Sequence, residues 1–319
     1  MTWKKYGLGL LLAGTLAACN NDDGNDLISI PPRDLSEVAA ENDAEIREFL
    51  QTHCYNYEDF ANPPAGFDFR IRIDTLAGDN AGKTPLIEQM ETQVILVNYD
   101  QIGLEGDSGD VPHTLYYLSA QDGEGVSPTI ADSVLVRYEG NTLDGKIFDA
   151  VSSYVWQNLP NLLRGYYNAV SQWQAGTQDQ LVQNPDGTNR YANAGIGLMV
   201  MPAGLAYFNS SPGTIPAYAP LLFKVEMGQV IEDADADGDG IPSILEDLNG
   251  NSFLYDDNTD QEQEERGFGG VLIPNFLDPD DDGDGKRTRD EIIIGEDGSL
   301  TFPDSNGNGI PDYLDPTTK

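Results

Sequence analysis

Two cysteines and two histidines in 319 residues leave almost no material for a Cys/His zinc site, or for a nucleophilic centre of the Cys/His or Ser/His/Asp kind. Positive charge is equally scarce. Lys and Arg total 17 against 54 Asp and Glu, a formal charge of −37 with a pI of about 4.1. Such a surface repels phosphate backbones and excludes nucleic acid as the partner; cations are its natural counterpart. The one marked apolar run, Tyr6 to Ala18, is too short to span a bilayer as a stable helix. A hydrophobic fraction of 39% with 9% aromatics nevertheless suffices for a real core in one large domain or two modest ones. The acidity is uneven: from Glu232 onward there are 25 acids and 5 bases.

Lys4 and Lys5 precede the apolar run, which has the charge and length of a secretory signal and ends Leu16-Ala17-Ala18-Cys19. An oxidising compartment would allow Cys19 to pair with Cys54, although their contexts differ. The run also resembles the lipobox of bacterial lipoproteins, which implies cleavage after residue 18 and lipidation of Cys19, leaving Cys54 a lone thiol. Acyl chains would then anchor the chain to a membrane surface. Residues 19–40 read as a flexible tether. Their acidic start resembles the surface-export signal of Bacteroidota lipoproteins, which implies the cell envelope and its outer membrane.

Residues 41–110 read as an extension of helix and strands. Val38, Ile46, Phe49 and Leu50 fall at helical spacings, with Asp43 as the candidate cap. Phe67 to Asp74 alternates apolar and polar residues and predicts a strand, and Gln93 to Asn98 predicts another. Ala77 to Thr84 fits a loose phosphate-loop pattern, but Pro85 follows at once and no parallel βαβ pattern surrounds it, so a glycine-rich turn is the better reading.

Residues 111–231 are rich in strands with one short helical stretch, Leu162 to Trp173, which predicts an α+β fold. The ordered motifs Asp132 to Gly140, Leu143 to Asp149, Leu162 to Tyr166, Met201 to Tyr207, Ile215-Pro216 and Leu221 to Glu226 resemble the FKBP-type peptidyl-prolyl isomerases in order and spacing. That resemblance implies a twisted antiparallel sheet wrapped on one helix, with an aromatic-lined cleft between them that takes proline-containing polypeptides and needs no catalytic cofactor. It implies that Tyr138, Phe148 and Phe223 line the cleft and that Leu162, Leu163 and Ile215 complete its walls. Tyr166 forms the floor, Asp149 holds a polar network and the Tyr207 hydroxyl bonds to substrate backbone. Two positions depart from the family: Tyr166 replaces a more usual Trp, and an aromatic expected after Phe148-Asp149 is not found in register, Gln157 standing near its place. Residues 177–194 are extra chain before Met201.

In residues 232–319, acids at positions 1, 3, 5 and 12 with glycine at 6 form a calcium-loop pattern, in which alternate residues of a tight loop aim oxygens at one hard cation. Asp235, Asp237, Asp239 and Glu246 fit it, with Ile241 offering a backbone oxygen. Asp280, Asp282, Asp284, Lys286 and Glu291 repeat it, as do Asp304, Asn306, Asn308, Ile310 and Asp315. Weaker copies at Asp247 to Asn251 and Asp256 to Asp260 lack the glycine and final acid in register. The Gly- and Pro-rich flanks resemble thrombospondin type 3 repeats, which implies structural Ca2+. The sequence therefore supports an envelope isomerase acting on exported polypeptides. A surface binding or adhesion lipoprotein on an inactive isomerase-like scaffold is the alternative.

Overall fold

The computed structural model of the chain describes residues 31–106, 109–183, 187–267 and 270–319, so the lipobox and Cys19 lie outside the described residues. Helix α1 (Leu35–Thr52) starts at Asp34, whose carboxylate accepts the Glu37 amide at 2.9 Å. The expected cap, Asp43, lies mid-helix instead and accepts the Tyr116 hydroxyl (2.7 Å) and the Arg47 guanidinium (3.0 Å). The apolar period begins at Leu35, so Asp34 and not Asp43 stands at the point where the first turn needs an acceptor. Leu35, Val38, Ile46 and Leu50 are buried along one stripe.

Strand β1 (His53–Tyr55) pairs antiparallel with β2 (Ile73–Thr75). The alternating run from Phe67 is therefore strand only at its end. Asn56 turns the chain into the short helix α2 (Tyr57–Ala61), and its side chain stands in for a partner strand, accepting the Arg72 amide (2.8 Å) and donating to the Arg70 carbonyl (3.2 Å). Phe69, at φ +56°, breaks the extended backbone. Burial of Ile71 preserves the apolar face that the alternation signalled. Residues 77–84 form a 3-10 turn, and Pro85 leads into a second one rather than into a phosphate-binding helix.

The main sheet comprises β3 (Glu91–Val97), β4 (Val111–Gln121), β5 (Ser133–Thr142), β6 (Ile147–Asn158), β9 (Gly195–Met201) and β10 (Leu221–Ile231) in the order β3-β4-β9-β10-β5-β6, antiparallel throughout. The extra chain before β9 folds as a hairpin of β7 (Leu181–Gln183) and β8 (Asn189–Tyr191). Helix α3 (Arg164–Val170) is shorter than the stretch 162–173, because Leu163 is still extended and caps it. Gly165 lets α3 sit tightly on β9: a Cβ there would meet Met201 Sδ at 2.7 Å. The fold is α+β, with a twisted antiparallel sheet and few helices.

Both faces of the sheet are covered. On one, Val136, Met199, Met201 and Phe223 pack with Tyr166 and Tyr167 of α3, together with Leu254 and Phe276 from the acidic region. On the other, Tyr116, Leu198, Val200 and Leu222 pack with Ile46, Leu50, Tyr55 and Ile71. Residues 41–110 thus supply an edge strand and one covering layer. The acidic region also carries the short helix α4 (Gln261–Arg266), the strand pair β11 (Ile293–Ile294) and β12 (Leu300–Thr301), and a small core of Ile241, Ile292 and Tyr313. Among the described residues no helix is long and apolar enough to cross a membrane. Cys54 is a buried free thiol.

Asp34→Ala removes the acceptor that starts α1 and is expected to lower stability by about 1 kcal/mol, whereas Asp43→Ala acts through Tyr116 and Arg47 instead. Urea denaturation checks it: an unchanged midpoint in Asp34→Ala would remove Asp34 as the cap.

Candidate active site

One cleft of about 260 Å3 lies between α3 and the sheet, and all nine residues expected there line it. Strand β5 contributes Tyr138, β6 contributes Phe148 and Asp149, and β10 contributes Phe223. Leu162, Leu163 and Tyr166 enter from the approach to α3 and its first turn, and Tyr207 and Ile215 from the connection between β9 and β10. Gly140 makes room for the rings, since a Cβ there would lie 2.6 Å from Phe148 and 2.8 Å from Phe223. Pro212, Gly213 and Thr214 also line the cleft. Their only sequence signal was adjacency to Ile215.

The rings meet edge to face: Phe148 on Phe223 at 5.4 Å, Tyr166 on Phe223 at 5.3 Å and Tyr138 on Tyr166 at 6.4 Å between centroids. Tyr138 donates to Asp149 at 2.6 Å. Burial, then that bond, pushes the Tyr138 phenol up to about 12. Burial also raises Tyr207, with the Asp149 charge adding to it. Both phenols therefore keep their protons at neutral pH and can donate hydrogen bonds.

The two departures from the family meet each other. Tyr166 is buried, and its hydroxyl donates to Gln157 Oε1 at 2.9 Å. A Tyr in place of an indole leaves a hydroxyl that needs an acceptor, and Gln157, near the place where the sequence resemblance expects an aromatic, supplies it. A larger cleft of about 460 Å3 lies across the sheet beside Arg137 and Glu226. Two ion pairs lie in its wall, Arg137 to Glu226 at 2.6 Å and Lys224 to Glu139 at 2.8 Å, and Arg70 and Arg72 line it as well.

With that geometry in view, Mip, a peptidyl-prolyl cis-trans isomerase of Coxiella burnetii, is 30% identical over 119 residues, covering 35% of this chain and 43% of Mip. Over that stretch the chain is homologous to a peptidyl-prolyl cis-trans isomerase. The chain spans less than half the length of that curated relative. Among solved structures, the peptidyl-prolyl isomerase of Pseudomonas syringae pv. tomato is 25% identical, with 36% of this chain and 74% of that one covered and a TM-score of 0.30. FkpA of Escherichia coli is 20% identical, with 61% of each chain covered and a TM-score of 0.32. Residues 236–303 match the family described as BamM C-terminal, and not a calcium-repeat family.

The acidic loops share one backbone frame. Gly240, Gly285 and Gly309 sit at φ +102°, +91° and +92°, and their amides donate to Asp235, Asp280 and Asp304 at 3.0, 3.1 and 2.9 Å. The weak copy at Asp247 adopts the same frame, with Ser252 at φ +60° where glycine was expected and its amide on Asp247 at 3.0 Å. In the Asp304 loop, the Asn306 and Asn308 amides donate to Asp315 at 2.8 and 2.7 Å, so side chains within the loop satisfy its closing acid. In the first two loops, buried carboxylate oxygens of Asp237, Asp239, Glu246, Asp280, Asp282, Asp284 and Glu291 have no hydrogen-bond partner. Ligand oxygens of Asp235, Asp237 and Asp239 lie within 4.8 Å of one another, as do those of Asp280, Asp282 and Asp284, and of Asp260, Glu264 and Asp278. The last group follows no loop pattern. Hard oxygen donors left unsatisfied in this way fit a Ca2+ ion. Lys286 Nζ lies 3.5 Å from Glu291, while Ile241 is buried and Ile310 is exposed.

Burial, reinforced by neighbouring carboxylates, pushes Glu246 up to about 10, Asp237 and Glu291 to about 7, and Asp239 to about 6. These acids hold protons more tightly folded than unfolded. Their contribution is fully present below about pH 4 and is lost as pH rises through 6 to 10. In chelator, the melting temperature is therefore expected to fall between pH 5 and 9, and a rise would contradict it. At the cleft floor, Tyr166→Phe orphans Gln157 and is expected to cost about 1–3 kcal/mol, much of it recovered in the double variant with Gln157→Leu. Additive losses in that cycle would deny the pairing.

Proposed function

We propose that the chain is a peptidyl-prolyl cis-trans isomerase of the cell envelope, anchored through Cys19, that acts on proline-containing exported polypeptides and carries a calcium-stabilised acidic region. The observation that carries this reading is the convergence of Tyr138, Phe148, Asp149, Tyr166, Tyr207 and Phe223 on one cleft, in a chain similar over 119 residues to Mip. The signal-like N-terminus and the BamM C-terminal match support the envelope.

The chemistry follows from the barrier. Rotation about an X-Pro bond costs roughly 18–20 kcal/mol because amide resonance is lost in the twisted state. That state is less dipolar than the planar amide, so a dry wall of rings favours it over the ground state. Phe148, Phe223 and Tyr166 exclude water from the prolyl ring, and the half-exposed Tyr207 offers a donor at the rim. Asp149 fixes the Tyr138 hydroxyl, so that this polar group costs nothing to bury beside the substrate. In the acidic region, Asp235, Asp237, Asp239 and Glu246 would hold one Ca2+ and Asp280, Asp282, Asp284 and Glu291 another. The ion supplies charge neutralisation, which compacts a segment that otherwise repels itself.

A second reading, a peptide-binding scaffold without turnover, draws on the polar Tyr166–Gln157 floor, which is wetter than an indole would be. NMR exchange spectroscopy on a short X-Pro peptide separates the two. Isomerisation should be accelerated by the protein, with Phe148→Ala slowing it about 10–100-fold, or about 1.4–2.7 kcal/mol of barrier. Peptide line broadening without faster exchange would favour the scaffold.

A further inference from the structure

The triplet Asp280-Asp281-Asp282 carries one residue that the loop pattern does not use. Asp280 and Asp282 belong to the second loop's group with Asp284. Asp281, in the turn that the Gly283 amide closes on the Asp280 carbonyl at 3.0 Å, is aimed at the first loop instead: its carboxylate comes within 4.8 Å of ligand oxygens of Asp239 and Glu246. All three residues are almost wholly buried: Asp239 is 2% exposed, and Glu246 and Asp281 are 1% exposed. Neither oxygen of Glu246 nor of Asp281 has a hydrogen-bond partner. Asp281 has its backbone amide on the Thr288 hydroxyl at 3.1 Å, which fixes the triplet against the next turn.

Among the described residues the one donor to these three carboxylates is the Ile241 amide, on Asp239 Oδ1 at 2.7 Å, which leaves the other oxygens of the group untenable as bare buried anions. We propose that Asp239, Glu246 and Asp281 form one divalent-cation centre closed by both loops, so that the first-loop ion is held across the fold by Asp281. This rests on the calcium reading above and adds to it a ligand outside the loop pattern and a consequence. Since Asp281 sits between two ligands of the second loop, filling either loop orders the same three residues. Occupancy of the two loops is then interdependent.

Tyr313 packs with Ile241 beside the centre and feels the charges of Asp281, Glu246 and Asp239, which makes it the antenna for Tb3+. In the full chain, Tb3+ luminescence that disappears in Tyr313→Phe reports this centre. Asp281→Asn should raise the Tb3+ midpoint at least tenfold and shrink the Ca2+-induced rise in melting temperature, while the metal-free melting temperature does not drop. Asp290→Asn, an exposed acid nearby, should leave all three as in wild type. A Tyr313-dependent midpoint unchanged in Asp281→Asn would overturn the proposal while leaving calcium binding intact. A wild-type chain that gains neither luminescence nor stability from millimolar metal would overturn the calcium reading itself. Asp235→Asn weakens the first-loop ion from its exposed end and leaves Asp281 and the second loop's own ligands unaltered: at fixed Ca2+ it should lose more than one ion equivalent, and loss of a single equivalent would overturn the coupling.

Discussion

The constraint on which the structure depends is that β9 is buried along its whole length. A central strand apolar on both faces cannot be satisfied by one helix, so each face of the sheet needs its own cover. Glycines on that strand fix how close the cover comes. At Gly197 a Cβ would stand 2.3 Å from the Trp173 ring, and at Gly195 it would stand 1.9 Å from the Gln174 carbonyl. The chain just beyond α3 therefore lies directly on the sheet, and α3 itself is drawn down until Tyr166 becomes the floor of a cleft. The opposite face takes the second half of α1 and residues 53–90, which explains why a segment without any catalytic signal folds onto the same body.

Within the cleft the balance is between ring contacts and polar groups that must not be left alone. Edge-to-face packing of Phe148, Phe223, Tyr166 and Tyr138 supplies an apolar wall. Each hydroxyl in that wall then demands a partner: Tyr138 finds Asp149 and Tyr166 finds Gln157. Tyr166 and Gln157 depend on each other, because the buried Tyr166 hydroxyl would otherwise have no acceptor.

The cleft was legible in the sequence because its residues sit in short motifs of fixed order, each anchored to a strand or a turn whose register is set by the sheet. The helix start at Asp34 was less so: Asp43 has the right chemistry and spacing, but its carboxylate is claimed by Tyr116 from a distant strand. The strand expected at Phe67 failed for a similar reason, since alternation marks a buried face and not a partner, and Asn56 ends the pairing after Tyr55. Three of the four acidic loops were legible from glycine spacing. The fourth was hidden by Ser252, which accepts a left-handed backbone that its side chain disfavours. Asp281 was invisible because its role depends on a contact between loops that no local pattern encodes.

The acidic region and the cleft are joined by ordinary packing as well as by charge. Arg164, the first residue of α3 and two positions before Tyr166, is 8% exposed. Its guanidinium donates to the Asn251 carbonyl at 3.2 Å and to Gln101 at 2.7 Å, and lies 4.8 Å from the Phe253 ring centre. Leu254 and Phe276, either side of α4, enter the same core as Tyr166 and Phe223. A segment with 25 acids and 5 bases repels itself until cations offset its charge. That repulsion acts on the Asp247 loop that holds Arg164. The N-terminal end of α3 is thus held between the chain after β3 and the Asp247 loop, two residues before the ring that floors the cleft.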